Sequence, residues 1–420
     1  MQPKQLIMLI IYNILISIVN FFIPVLSFFI PKLKERNDNL KKTLTTSLKL
    51  SKNKKTIWFH SASAGEFEQA KPLIELIKKN NINTQILCTF FSPSGYNVGK
   101  KYIYADAVCY LPVDTYWNTK KIINKFKPVA VVFVRYELWY NCLFMLQKNR
   151  IDTFLINATY PSILKKTKIF LPFYRSVFNL LSNIYTVSQA DFELFNMLKI
   201  DATLNLSADT RNDRILEKVE EAKMDPIIQR DLFDDELILI CGSVWDEDVD
   251  VIFNAIKNYD KLYKKIRLIL VPHEPTEKHI SYIKNKFPNN ILLSQITEEK
   301  INQDKIMIVD SIGKLLKLYV IADLVYIGGG FGVGVHSITE PAGYGVPLVA
   351  GSNCYNSPDT IPLLTCGALV RVENALELKN WLVSMNDDSN RKKTGTAANC
   401  YIKNNTGSTK TIYNQLIQYL

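Results

Sequence analysis

The strongest constraint in this chain is a repeated change of period. From Thr56 onward, short apolar runs alternate with stretches of helical spacing. TIWFH precedes a helix expected over about Glu66 to Lys79, and TQILCTF precedes one near Gly95 to Tyr102. AVCYLPV leads to TYWNTKKIINKF, PVAVVFV leads to ELWYNCLFMLQKN, and DTFLINA and NIYTVS are two further strands. Buried apolar strands separated by helices predict parallel sheets in a doubly wound α/β fold. A second series, LILICGS, IRLILVP, NILLSQ, KIMIVD, LVYIGGG and GVPLVAG, follows the charged helical stretch RILEKVEEAKMDPIIQRDLFDDE. Two α/β domains are therefore expected, with a boundary near residue 218. A chain of 420 residues can bury a core in each. Ligands of such sheets bind beyond the carboxyl ends of the strands, so the site is expected in the cleft the domains face.

Ahead of these domains, Leu6 to Ile30 carries no charge. That run is long enough for a bilayer core, which needs about 20 residues. A cleaved signal peptide fits less well, because IPKLKER follows in place of a small-residue cleavage site. Pro24 can kink the helix, so a crossing helix and one lying in the interface both stand. Lys4 alone precedes the run, whereas Lys32, Lys34, Arg36, Lys41, Lys42, Lys49, Lys52, Lys54 and Lys55 follow it. This asymmetry predicts a body on the cytoplasmic side of the membrane. Leu40, Leu44 and Leu48 recur among those lysines, as in either a basic amphipathic helix on anionic lipid or an ordinary solvated helix. The formal charge of +11 favours acidic partners. The seven cysteines are dispersed without a C-x-x-C pair, as expected of reduced thiols rather than a disulfide framework.

Four elements could carry chemistry. In LVYIGGGFGVGVHSITEPAGYGVPLVAG, glycines that include Gly329 and Gly330 follow a strand and precede a helix start at Ser337, Ile338, Thr339 and Glu340. Backbone amides there can approach a phosphate, and Glu340 can meet ribose hydroxyls. A tight glycine-rich crossover is the competing reading, and neither a dinucleotide fingerprint nor a Walker lysine motif is present. Second, His273 follows a strand in VPHEP. No paired metal spacing involves any of the four histidines, and the acids of DEDVD suit the first turn of a helix, so no metal and no cofactor are expected. Third, Ser63-Ala64-Gly65-Glu66 fits an S-x-x-E capping box. The same loop follows the first strand of its domain, where a glutamate at a helix N-terminus can also accept a proton. Fourth, Glu137 in VRYELWYN follows a strand end, and Arg211 in ADTRNDR lies near the domain boundary. Either could equally be a surface ion-pair residue.

In this order, the apolar N-terminus, HSASAGE, FFSPSGYN, YELWYN, INATYPS, VSQAD, DTRNDR, GSVWDED, VPHEP, DSIGKLLKLYVIADLVYIGGGF and HSITEPAGYGVPLVAGSN resemble one family. It is the family of 3-deoxy-D-manno-octulosonic acid (Kdo) transferases, and the resemblance covers nearly the whole chain. It implies a GT-B fold of two Rossmann-like domains behind a membrane anchor at residues 1–31. The acceptor domain is expected over 32–218 and the donor domain over 219–420, with the last helix a candidate to cross back. The implied reaction is inverting Kdo transfer from CMP-Kdo to lipid IVA, without a metal. Glu66 matches the base, and Glu137 and Arg211 match positions that stabilise the transition state. Donor contacts would fall on Pro272, His273, Ile312, Gly313, Lys314, Gly329, Gly330, Ser337, Ile338, Thr339 and Glu340. Acceptor contacts would fall on Ser63, Gly65, Ser94 and Gly95. Partners would be CMP-Kdo, lipid IVA and inner-membrane lipids, with no nucleic acid.

The chain departs from the family pattern at several of these positions. Arg211 stands where many members have Lys, and His273-Glu274 where Arg-His is more usual. Ser337 replaces an Asn, Lys314 replaces an acid, and Arg135 and Tyr136 replace an acid and a threonine. Two other readings compete: another GT-B sugar-nucleotide enzyme such as a UDP-GlcNAc epimerase, and a catalytically inactive membrane-anchored binding protein.

Overall fold

A computed structural model of the chain describes residues 3–45, 50–51, 53–135, 138–233, 236–257, 266–297 and 305–420. Side chains are described from residue 7, and not over 41–45. Two compact units emerge: Met1–Asp213 with Thr406–Leu420, and Arg214–Asn405.

The first unit opens with helices α1 (Pro3–Phe29) and α2 (Pro31–Thr45). The alternating series follows: β1 (Lys55–Ser61), α3 (Ala64–Asn80), β2 (Thr84–Phe90), α4 (Pro93–Gly99), β3 (Ala107–Tyr110) and α5 (Tyr116–Phe126). It continues with β4 (Ala130–Val134), α6 (Tyr140–Lys148), β5 (Asp152–Ala158), α7 (Ser162–Lys166) and α8 (Leu171–Phe178). The series ends with β6 (Asn183–Thr186), α9 (Gln189–Met197), β7 (Thr203–Leu206) and the start of α10 (Arg211–Met224). The strands form one parallel sheet in the order β3-β2-β1-β4-β5-β6-β7. Strand β1 is central, and its side chains alternate between two cores. Trp58 packs with Leu87, Val131 and Phe133, while Ile57 and Phe59 pack with Ile86, Val132 and Phe154. Burial on both faces is why TIWF reads as an unbroken apolar run.

Helix α1 is long and apolar enough to cross a membrane over Ile7–Phe29. It also touches the sheet unit. The Tyr12 hydroxyl donates to Asp114 Oδ2 at 2.9 Å, and Asn141 Nδ2 donates to Asn13 Oδ1 at 3.0 Å. Arg36 on α2 is buried, donates to the Leu111 carbonyl at 2.7 Å and lies 4.4 Å from the Phe91 ring centre. Of the leucines read as an amphipathic stripe, Leu40 is half-buried, while the side chain of Leu44 and all of Leu48 lie outside what is described.

The first unit ends at residue 213, where the expected boundary is 218, and it also takes in residues 406–420, which contain the last helix, the one named as a candidate to cross back. The reason is local. Asp213 accepts N–H bonds from Gly407 and Thr409, Ser408 Oγ accepts the Ala208 N–H at 2.7 Å, and Ile412, Tyr413 and Leu416 enter the core around Ile57 and Phe59.

The second unit contains β8 (Leu237–Val244), α11 (Asp246–Ile256), β9 (Ile266–Pro272), α12 (Glu277–Lys286), β10 (Ile291–Leu292), β11 (Ile306–Ile308), β12 (Leu324–Ile327), β13 (Leu348–Gly351) and β14 (Leu369–Val372). Its parallel sheet has the order β10-β11-β9-β8-β12-β13-β14. NILLSQ forms only a two-residue strand before a 3-10 turn over Leu293–Gln295, so it is a shorter strand than its composition suggests. In both sheets strand order reverses beside the first strand, at β1/β4 and β8/β12, the position where ligands of open α/β sheets bind.

At the β12 end the backbone passes close to β13. A Cβ on Gly330 would lie 2.4 Å from the Gly351 nitrogen, and one on Gly351 would lie 2.5 Å from the Gly330 carbonyl carbon. Neither backbone can yield without shifting a strand. Gly330→Ala should cost about 1–3 kcal/mol, as overpacking does. Gly332→Ala, whose nearest contact would be 3.6 Å away, should be near neutral in the same thermal melts.

Candidate functional site

The carboxyl edge of the first sheet is built around the loop after β1. Ser63 is the N-cap of α3, and its hydroxyl accepts the Glu66 N–H. Glu66 Oε2 accepts the Ser63 N–H at 3.0 Å, completing the capping box expected from S-x-x-E. The side chain of Glu66 is only 6% exposed, so this cap carboxylate lies at the protein edge of the loop rather than free in solvent. Gly65 next to it is exposed, with open space around the position of a Cβ.

Helix α4 is pressed onto the same loop. Ser92 donates its N–H to the Ala62 carbonyl at 2.8 Å, and its hydroxyl caps Gly95. A Cβ on Gly95 would come within 2.6 Å of the Phe90 ring and 3.1 Å of the Ser63 carbonyl carbon. Gly95 is therefore buried against the Glu66 loop, and exposed Ser94 stands beside Ser92 with hydroxyls 2.9 Å apart. His60 lies beneath, fully buried, with Nδ1 2.9 Å from Thr89 Oγ1 and its ring edge-on to Trp139.

Arg211 is brought to this corner by a network that sequence reading missed. One turn after Glu66, Gln69 Nε2 donates to Asp209 Oδ2 at 2.7 Å. Asp209 receives Arg211 bidentately, Nε at 3.0 Å and Nη2 at 2.6 Å. Thr210 is fixed beside it, donating its N–H to Asn157 Oδ1 at 2.9 Å and receiving Asn157 Nδ2 at 2.7 Å. Asn157 has φ +53°, a left-handed conformation at the end of β5. ADTRNDR contained Asp209, but nothing in one sequence ties it to Gln69. Glu137, read together with Arg211, lies outside the described residues, as does Tyr136.

The second sheet gathers the donor candidates along its own carboxyl edge. Pro272 ends β9 and His273 follows it, Ile312 to Lys314 form an exposed turn after β11, and Gly329 and Gly330 follow β12. Ser337 to Glu340 lead into the helix Thr339–Gly343. That helix has only five residues, so its dipole is short. Ser337 Oγ accepts the Glu340 N–H at 3.4 Å, and Glu340 pairs with Lys218 at 3.5 Å.

Two features at this edge were not foreseen. Asp248, read only as an acid in a first helical turn, is buried and ties three segments together. Its Oδ2 accepts the Trp245 N–H at 2.9 Å and the Gly329 N–H at 2.7 Å, and its Oδ1 accepts the Tyr326 hydroxyl at 2.7 Å. Burial pushes its pKa up, against the lowering effect of those donors. The second feature is a stack of three rings. His273 lies parallel to His336 at 4.2 Å between centroids and at 4.7 Å from Trp245. A cavity of about 220 Å³ adjoins it, lined by Trp245, Asp246, Glu247, His273, Glu274 and Lys278 among others. Among the described residues, no group of three or more His, Cys, Asp or Glu is arranged to hold a metal ion.

A family model described as 3-deoxy-D-manno-octulosonic-acid transferase (kdotransferase) matches residues 32–214. Over 360 residues the chain is 27% identical to a 3-deoxy-D-manno-octulosonic acid transferase of Rickettsia typhi, covering 83% of this chain and 75% of that one. Over 384 residues it is 24% identical to the transferase of the same description from Haemophilus influenzae, covering 87% of each. The chain resembles the Kdo transferases over most of its length. It is accordingly a glycosyltransferase, and the family's activity is Kdo transfer in lipopolysaccharide biosynthesis. Among solved structures it is similar to a UDP-GlcNAc 2-epimerase from Neisseria meningitidis, with TM-score 0.60 and 13% identity, covering 86% of this chain and all of the other (100%). It is also similar to MurG of Acinetobacter baumannii, with TM-score 0.58 and 10% identity over 87% of this chain and 99% of the other. Those likenesses show the fold of this transferase, GT-B, with two Rossmann-like parallel-sheet domains.

The ring stack makes a titration prediction. Burial and the neighbouring His273 lower the pKa of His336 from its usual 6.5. A depressed histidine stays neutral when folded, so any stability it contributes is lost as pH falls below about 6.5. In an NMR titration of the full chain, His336 should titrate below that value, and His273→Ala should move it back upward. Separately, Asp248→Ala leaves the Tyr326 hydroxyl and two N–H groups without their acceptor. It should lower stability by roughly 3 kcal/mol in denaturant unfolding.

Proposed function

We propose that this transferase moves Kdo from CMP-Kdo to lipid IVA with inversion, and that Glu66 is the general base. The observation that carries this reading is the Ser63–Glu66 capping box at the strand-order reversal of the first sheet. It supports the reading because a carboxylate fixed by a backbone N–H is held in one orientation and kept ionised near a helix N-terminus. The acceptor hydroxyl oxygen would bond to the anomeric carbon as the bond to the CMP oxygen breaks. Its proton would pass to Glu66, and the bonding pair would leave with CMP.

Arg211, oriented by Asp209, and Glu137 would stabilise the transition state. Ser63, Gly65, Ser94 and Gly95 would border the acceptor. Pro272 and His273, Ile312 to Lys314, Gly329 and Gly330, and Ser337 to Glu340 would border the donor. Loop amides around the glycines would meet the leaving phosphate. The apolar helix α1 and the basic residues after it support a place at the inner membrane with the body facing the cytoplasm.

Glu66→Gln keeps the size and one acceptor oxygen of the cap but cannot take the proton. Its kcat for Kdo transfer should fall by roughly 10²–10⁴-fold, while its circular dichroism and melting stay close to those of the wild type. A Glu66→Gln enzyme that retains full activity removes Glu66 from the chemistry.

A further inference from the structure

The hydrogen bonds of α1 do not suit a free tether. A helix that crossed a bilayer independently of the body would carry Tyr12 away from Asp114, yet these two meet at 2.9 Å. Asp114 is buried, and also accepts the N–H groups of Asn141 at 2.8 Å and Cys142 at 3.0 Å and the Thr119 hydroxyl at 3.0 Å. It is a built part of the first unit, and residue 12 of the apolar run is one of its partners. The Tyr12 ring packs at 5.6 Å from Tyr140 and at 6.1 Å from Phe173 on α8. Asn13 meets Asn141 beside them. Helix α2, which follows α1, is fastened separately through Arg36. Attached on both sides, α1 lies against the unit. Leu9, Tyr12 and Asn13 turn inward, and Ile7, Ile10, Ile11, Ile14, Leu15 and Ile18 remain exposed.

The segment next to this helix has matching chemistry. Between α7 and α8, Ile169 is 76% exposed and Phe170 44%. Lys165, Lys166 and Lys168 are exposed around them, and no Asp or Glu occurs from residue 160 to residue 190. Phe170 leads directly into α8, whose Phe173 packs on Tyr12, so segment and helix share one side of the unit. Exposed apolar tips within a purely basic segment fit a surface that is apolar inside and anionic outside.

We propose that α1 is a docked element, latched by Tyr12–Asp114 and Asn13–Asn141, and that it enters an anionic lipid surface together with the Lys165–Phe170 segment as a single face. The latch fixes how the first unit meets the bilayer, which a flexible anchor would leave undefined. This inference rests on the membrane location proposed above, but not on the identity of the sugar donor or acceptor.

The test uses the full chain carrying Ile169→Cys, with the exposed Cys366 and Cys400 changed to Ser and a polarity-sensitive fluorophore on residue 169. The protein is bound to phosphatidylcholine vesicles containing phosphatidylglycerol and a doxyl-lipid quencher. Quenching of the probe on the order of twofold is expected for a segment seated at the acyl boundary. Tyr12→Phe should restore most of the signal, as should Lys165→Glu with Lys166→Glu and Lys168→Glu, while the protein still sediments with the vesicles through α1. A probe that stays in water on sedimented protein overturns the proposal, as does quenching indifferent to both sets of changes. A probe shielded in vesicle-free protein that runs as a dimer assigns the face to a second copy and overturns it too. Intact quenching in a protein that fails to transfer Kdo would sink the functional reading alone.

Discussion

Buried carboxylates that accept backbone N–H groups hold both candidate sites together. A central parallel strand is covered on both faces, so its backbone is satisfied inside the sheet and becomes unpaired where the chain leaves it. Acids take up those donors. Glu66 receives Ser63 after β1, Asp114 receives Asn141 and Cys142 after β4, and Asp248 receives Trp245 after β8 and Gly329 after β12. Each contact fixes a loop at the edge where ligands of such sheets bind. Asp114 shows the competition within such a site, since burial pushes its pKa up to about 7 even though four donors favour the ionised form.

Structure and chemistry share residues under this arrangement. The capping role of Glu66 and its proposed role as a base are compatible, because the N–H that closes the helix end also orients the carboxylate. Asp209 does the corresponding work for Arg211, and Gln69 ties that pair to the helix that begins at the Glu66 loop. In the second unit, the close approach of Gly330 to Gly351 leaves no room for a side chain between β12 and β13, which keeps loop backbone at the edge.

Much of this was legible in the order of residues, for a physical reason. Strands buried on both faces, such as TQILCTF and LILICGS, are continuous apolar runs, and the S-x-x-E spacing of the cap is local. The strands that escaped notice, β7 (TLNL) and β14 (LVRV), are edge strands of four residues whose middle residues are incompletely buried, so polar residues interrupt them. Long-range partners were also invisible. Nothing near Asp248 announces Tyr326 or Gly329, and nothing near His273 announces His336. The tie between Tyr12 and Asp114 spans 102 residues, and the apolar run that contains Tyr12 masks it.

The most direct measurement of the central claim is the mass of the product formed by purified enzyme from CMP-Kdo and lipid IVA. The account predicts lipid IVA heavier by one or more Kdo units, with one CMP released per unit. Unchanged lipid IVA, or turnover of UDP-GlcNAc in place of CMP-Kdo, would contradict it.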